Sequence, residues 1–206
     1  MGARLVPTNL PAGHCERLCR EIIHDLSTFN RHSDHLYTFG TPLYLAQNDA
    51  HYIEANAPLR TRSVERFGVV YDALVGTMER YLGARVGFDP RLALPNVQVF
   101  RALPGRPYAG GMWHRDFFHT GILDVSRPEF SVSMLIGDEA SPYAVEFCEE
   151  SQVEIAVQYH RISFVTIFPA IWRHRIAPFG APGRLLNRVS MQAHLSKQGD
   201  HYLMYW

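Results

Sequence analysis

The chain has 206 residues, 47% of them apolar and 19% charged, with Lys plus Arg and Asp plus Glu both at 20. That length suits one domain with a real core, and 15 Gly with 13 Pro fall well short of disordered or collagen-like composition. A formal charge of zero disfavours the phosphate backbone of a nucleic acid as the main partner.

The first residues carry no apolar run of the kind that marks a secretory leader, and Val6 stands where a myristoylation signal needs Ser or Thr. Cys15, Leu18, Cys19, Ile22, Ile23 and Leu26 recur at three- and four-residue spacing, which predicts an amphipathic helix. The cysteines number three (Cys15, Cys19, Cys148), an odd count that reads as buried thiols in a reducing, cytoplasmic compartment. Residues 41–45 (TPLYL) read as a strand. A second helix follows from Phe67, Val70, Tyr71, Leu74, Val75, Met78 and Leu82, with Ser63 as its N-cap and Gly83 as its stop.

From Asn96 onward the texture changes to short β-like runs broken by Gly, Pro and Asp. Strands are predicted at 96–103, 121–125, 130–137, 143–149, 153–159, 161–168, 174–179 and 188–195. Helices at the front and strands at the back argue for an antiparallel sandwich or barrel and against a parallel βαβ sheet. The apolar stretch 162–172 is too short to span a bilayer. The expectation is a single α+β, mainly β domain. Residues 1–95 form a mostly helical part packing on the core, 96–195 the strand core, and 196–206 a short tail.

The chemistry concentrates at Gly110-Gly111-Met112-Trp113-His114-Arg115-Asp116. On an extended segment, positions i and i+2 point the same way, so His114 and Asp116 can share an ion. Two other His-x-acid matches exist, His14/Glu16 and His32/Asp34. The first lies on a helix, where i and i+2 diverge by about 200°, and the second has no strand around it. His174, inside Trp172-Arg173-His174-Arg175, lies far enough along the chain for several strands to bring it back beside the pair. Two His and one carboxylate form the facial set that holds Fe(II) and leaves one side open. Arg188 and Ser190 then share one strand face, a guanidinium fork plus a hydroxyl suited to anchoring a carboxylate.

Together these residues resemble the Fe(II)/2-oxoglutarate-dependent oxygenase superfamily, whose pattern is His-x-Asp, a distal His and an Arg-x-Ser on the last core strand. The resemblance covers roughly residues 96–195. It implies a double-stranded β-helix (jelly-roll, cupin-like) core with flanking N-terminal helices. It further implies Fe(II) on His114, Asp116 and His174, with O2 and the cosubstrate 2-oxoglutarate. Arg188 and Ser190 would hold the distal carboxylate of 2-oxoglutarate, with Arg184, ten residues after His174, as the alternative. Gln98 and Arg101 are candidates for the cosubstrate's other end. The implied activity is hydroxylation of an unactivated C–H bond, coupled to conversion of 2-oxoglutarate into succinate and CO2. Halogenating relatives lack the carboxylate that Asp116 supplies. Tyr108, Trp113, Phe117, Phe118 and Trp172 are the candidate pocket for a small-molecule substrate, such as an amino acid or natural-product intermediate. Two other readings stay open at this point: an iron oxidase without 2-oxoglutarate, of the isopenicillin N synthase type, and a cupin-like metal- or ligand-binding module.

Overall fold

The computed structural model describes residues 3–46, 48–88, 94, 96–116, 128–137, 143–148 and 155–205. The expected strand at 121–125, together with Phe117, Phe118 and His119, lies outside the described residues. Apolar spacing decides the two main helices. Helix α1 (Ala12–His24) buries Cys15, Leu18, Cys19 and Ile22 on one face, and Cys148, the third cysteine, is half-buried. The long helix α3 (Arg60–Leu82) buries Phe67, Val70, Tyr71, Leu74 and Met78. Gly83 ends it in the left-handed conformation, φ 64°, with its N–H donated to the Glu79 carbonyl.

The start of α3 differs from expectation. A 3-10 turn (Ala57–Leu59) with Pro58 feeds the helix directly, so Ser63 lies within it, pairing its buried hydroxyl with that of Tyr71 at 2.9 Å. Residues 41–45 are not a strand either: Leu43–Leu45 form a 3-10 helix in which Leu45 N–H bonds to the Pro42 carbonyl. Pro42 has no N–H to give a ladder, so the local turn wins. Helix α2 (Asp49–Asn56) escapes sequence reading because only Tyr52 and Asn56 are buried, too few for a clear apolar stripe. The Asn48 side chain caps it by accepting from His51 N–H.

Twelve described strands form two sheets. The larger runs β1 (Arg4–Pro7), β9 (Phe164–Pro169), β6 (Phe130–Leu135), β11 (Leu186–Gln198), β5 (Asn96–Ala102), β3 (Leu36–Thr38) and β2 (Asn30–Arg31). Strand β12 (His201–Tyr205) pairs with the far end of β11 and, in parallel, with β4 (Val86–Phe88). The smaller sheet runs β10 (Arg173–Ile176), β7 (Ala144–Cys148), β8 (Ala156–Tyr159). The two ends of the chain differ from expectation. The region 1–95 contributes β1, β2, β3 and β4 to the large sheet, besides packing helices on it. The region 196–206 is no tail, because β11 continues to Gln198 and β12 folds back so that Tyr205 faces His194.

Strand alternation organises the layers. On β11, Val189, Met191, Ala193 and Leu195 join the cluster that contains the apolar faces of α1 and α3. Arg188, Ser190, Gln192 and His194 alternate with them and point the other way. That second face is not left to solvent. Phe100, Leu135, Tyr143, Ile176 and Phe179 close over it from both sheets, so Arg188, Ser190 and His194 are buried too. The space between the sheets is therefore walled partly by polar residues, and the site sits there.

Candidate metal centre

Segment 108–114 runs antiparallel beside β10, bridging at Tyr108–Phe179 and His114–His174. His114 N–H donates to the His174 carbonyl at 3.1 Å, and His174 N–H to the His114 carbonyl at 2.9 Å. Gly110 makes this approach feasible: its φ is 97°, and a Cβ there would meet the Ile176 carbonyl at 3.2 Å. The paired backbones set the two imidazoles side by side, ring centroids 4.3 Å apart.

Each ring is oriented by its own chain. Nδ1 of His114 lies 2.8 Å from the Met112 carbonyl, and Nδ1 of His174 lies 3.2 Å from the Trp172 carbonyl. A carbonyl can only accept, so each ring carries a proton on Nδ1, and in the neutral ring Nε2 is left with its lone pair. Those Nε2 atoms lie 3.7 Å and 3.5 Å from the carboxylate oxygens of Asp116. One ligand atom from each of His114, Asp116 and His174 lies within 4.8 Å of the others.

Asp116 is buried, and burial pushes its carboxyl toward the neutral form. His194, His174, the Ser131 hydroxyl and His114 together outweigh that and hold it below the ordinary carboxylate value. Ser131 on β6 donates to Oδ2 at 2.6 Å, a short charge-assisted bond. Nδ1 of His194 lies 3.2 Å from the same hydroxyl. Burial also holds the His174 and His194 imidazoles below their usual values. Ser131 is one of the site residues that sequence reading missed. It lies on a strand that was read correctly, but only the register Ser131–His194 across β6 and β11 brings it beside Asp116.

With both rings neutral, the ionised carboxylate and two Nε2 lone pairs form a donor set for a cation. Metal binding requires those protonation states, and N,N,O donors with an open side suit non-haem Fe(II).

A cavity of about 400 Å³ opens beside these ligands. Its wall includes Tyr44, Gln98, Phe100, Tyr108, Gln192 and His194. Of the expected substrate contacts, Tyr108 lines it. Trp113 does not: adjacent to His114, it points off the segment and lies under the Arg175 guanidinium at 4.8 Å. Trp172 packs on Phe147 instead, with ring centroids 6.0 Å apart. Arg175 is engaged by Glu146 at 2.6 Å.

The cosubstrate candidates separate by environment. Arg184 is exposed in a tight turn bridged to Ala181. Arg101 has the parity of Val97 and Val99, so it faces away from the cavity, where it donates to Asn187 at 3.1 Å and packs on Tyr37. Gln98 has the opposite parity and lines the cavity, donating to the Tyr44 hydroxyl at 3.0 Å. Arg188 is 0% exposed. It donates from Nη1 to Ser190 Oγ at 2.8 Å and from Nη2 to His160 Nε2 at 3.1 Å. The ring of Phe100, a cavity-wall residue, packs on its guanidinium at 5.8 Å. Its Nε is enclosed without a hydrogen-bond partner among the described residues. Burial draws the guanidinium down to about 10, so it is still cationic at neutral pH.

No family model and no curated protein matches this sequence. Solved structures do match. An oxidoreductase of the 2OG-Fe(II) oxygenase family from Burkholderia pseudomallei is 14% identical at TM-score 0.55, over 97% of this chain and 86% of that one. The non-haem alpha-ketoglutarate-dependent carbocyclase SnoK of nogalamycin biosynthesis is 10% identical at TM-score 0.52, over 94% and 79%. The corresponding epimerase SnoN is 11% identical at TM-score 0.50, over 96% and 79%. The chain has the fold of the Fe(II)/2-oxoglutarate oxygenases. At these identities the fold is what is shared, and the argument for chemistry rests on the residues. In this jelly roll the metal-ligand candidates line the cavity, and the buried arginine lies on the same inward face of β11 as His194.

Proposed function

We propose that the chain is an Fe(II)/2-oxoglutarate-dependent dioxygenase that hydroxylates an unactivated C–H bond of a small molecule, an amino acid or a natural-product intermediate. The observation that carries the reading is the convergence of two imidazoles and one buried carboxylate beside a cavity. His114, Asp116 and His174 would hold the iron. When bound, iron(II) and 2-oxoglutarate supply the activation of O2 for attack on a C–H bond, with succinate and CO2 released.

The other tasks fall to the chain's own residues. Ser131 and His194 hold the Asp116 carboxylate in place and ionised. Arg188 and Ser190 would receive the distal carboxylate of 2-oxoglutarate. The enclosed Nε of Arg188, without a partner among the described residues, supports this, because a buried N–H without an acceptor costs about 1–3 kcal/mol, which an incoming carboxylate removes. No carboxylate is bonded to Arg188 among the described residues, so its charge is available to a ligand. Phe100, Tyr108, Val145, Phe168 and Ile176 keep the cavity apolar and exclude water around the reacting bond. Gln98 and Gln192 offer polar contacts to orient a substrate.

The test is anaerobic titration of the metal-free protein with Fe(II) and then 2-oxoglutarate. A weak visible charge-transfer band should develop only when both are present. It should be lost in Arg188→Leu and kept in Arg184→Ala. A band lost in Arg184→Ala but kept in Arg188→Leu would move the anchor to Arg184. Absence of the band from wild type that has bound Fe(II) would refute the use of 2-oxoglutarate.

A further inference from the structure

His160 follows β8 of the small sheet, its backbone N–H donated to the Tyr143 carbonyl at 2.8 Å. Its ring reaches across the sandwich to the large sheet. Nε2 lies 3.1 Å from Nη2 of Arg188 on β11, and Nδ1 lies 3.5 Å from the Thr166 hydroxyl on β9. The ring is buried, 7% exposed, and does not line the cavity. Because a guanidinium only donates, Nε2 must be the acceptor, which fixes the neutral tautomer with its proton on Nδ1. Burial and the neighbouring guanidinium both hold the imidazole well below its ordinary value, which agrees with that tautomer.

The chemistry of this pair is unusual for a buried arginine. A guanidinium removed from water is normally matched by a carboxylate. Here its two described acceptors, Ser190 and His160, are both neutral. Neutral acceptors fix the direction of the fork without cancelling its charge. A carboxylate at the same place would orient the arginine equally well but would occupy the charge that an incoming anion needs.

We infer that His160 is a positioning residue for the anion site, holding Arg188 by a neutral hydrogen bond so that its charge stays free for the carboxylate of the bound cosubstrate. The inference rests on the reading of Arg188 as the 2-oxoglutarate anchor.

Three variants, His160→Leu, His160→Gln and His160→Glu, test it in the full-length chain, with Mn(II) as a redox-inert metal and 2-oxoglutarate binding measured by calorimetry. His160→Leu removes the acceptor and should weaken 2-oxoglutarate by about tenfold to a hundredfold, the range for losing a hydrogen bond to a charged group. His160→Gln, a neutral acceptor, should recover most of that loss. His160→Glu, a charged acceptor, should bind as weakly as the leucine variant or worse. Mn(II) affinity should be unchanged in all three. In turnover the loss should fall on KM for 2-oxoglutarate rather than on kcat.

Glutamate binding 2-oxoglutarate as well as glutamine would overturn the inference, since a merely structural acceptor serves either way. Leucine binding as well as wild type would also overturn it. Should the leucine variant not fold, the glutamine–glutamate comparison carries the test alone. Wild type that takes up Mn(II) but no 2-oxoglutarate would instead refute the proposed function. Wild-type binding that is lost in Arg188→Leu but intact in every His160 variant would sink only the role of His160.

Discussion

Ser131 Oγ lies 2.6 Å from Oδ2 of Asp116 and 3.2 Å from Nδ1 of His194, so one hydroxyl ties the carboxylate of the candidate metal centre to a histidine on the neighbouring strand. Ser131→Ala removes a bond to a charged, buried acceptor, a loss of about 1.5–3 kcal/mol. Groups that hold a ligand in place typically contribute roughly tenfold to a hundredfold to metal affinity. Ser131→Ala should therefore lower Fe(II) or Mn(II) affinity by that factor while the fold persists. Competition against a chelator of known affinity measures it.

Gly110 sets the approach of the His114 segment to β10. Alanine there would adopt φ near 97° and press on the Ile176 carbonyl and the Pro178 ring. The expected cost is about 1–3 kcal/mol of stability. Metal affinity should fall as well, because His114 is held by the same pairing. Thermal melts with and without metal separate the two effects. By contrast, Gly183→Ala, in the exposed turn that carries Arg184, meets no neighbouring atom and should leave metal binding intact.

His160 contributes to the pH dependence of stability, beside the buried His174 and His194. Its folded-state value is held well below the ordinary 6.5, so the unfolded chain binds a proton that the folded chain refuses. The contribution is fully present above about pH 6.5 and is lost as pH falls below that value, at up to roughly 1.4 kcal/mol per pH unit. Denaturant titrations between pH 7 and pH 5 should give a smaller slope for His160→Gln than for wild type. Equal slopes would show that His160 makes no such contribution.

Much of the centre was legible because it rests on period-two alternation and short spacing. His114 and Asp116 are two residues apart on an extended segment, and Arg188, Ser190, Gln192 and His194 share a face for the same reason. Periodicity also gave α1, α3 and most of the strands from Asn96 onward. What escaped depends on register across strands, which a single sequence does not encode. The partnership of Ser131 with Asp116 and of His160 with Arg188 needs β6 and β8 placed against β11. The aromatics next to the motif misled for a related reason: Trp113 alternates away from His114, while Phe100 and Phe168, distant in sequence, supply the cavity wall. Strands β1, β2, β3 and β4 are two to four residues long, too short for an alternation pattern to stand out.

The most direct measurement is the stoichiometry and affinity of Fe(II) binding to the metal-free protein under anaerobic conditions, for wild type and for His114→Ala, Asp116→Ala and His174→Ala. One ion per chain is expected in wild type, with a loss of at least roughly a hundredfold in each variant, since each removes one of the three candidate ligands. Tight binding that survives all three substitutions, or wild type that binds no ion, would contradict it.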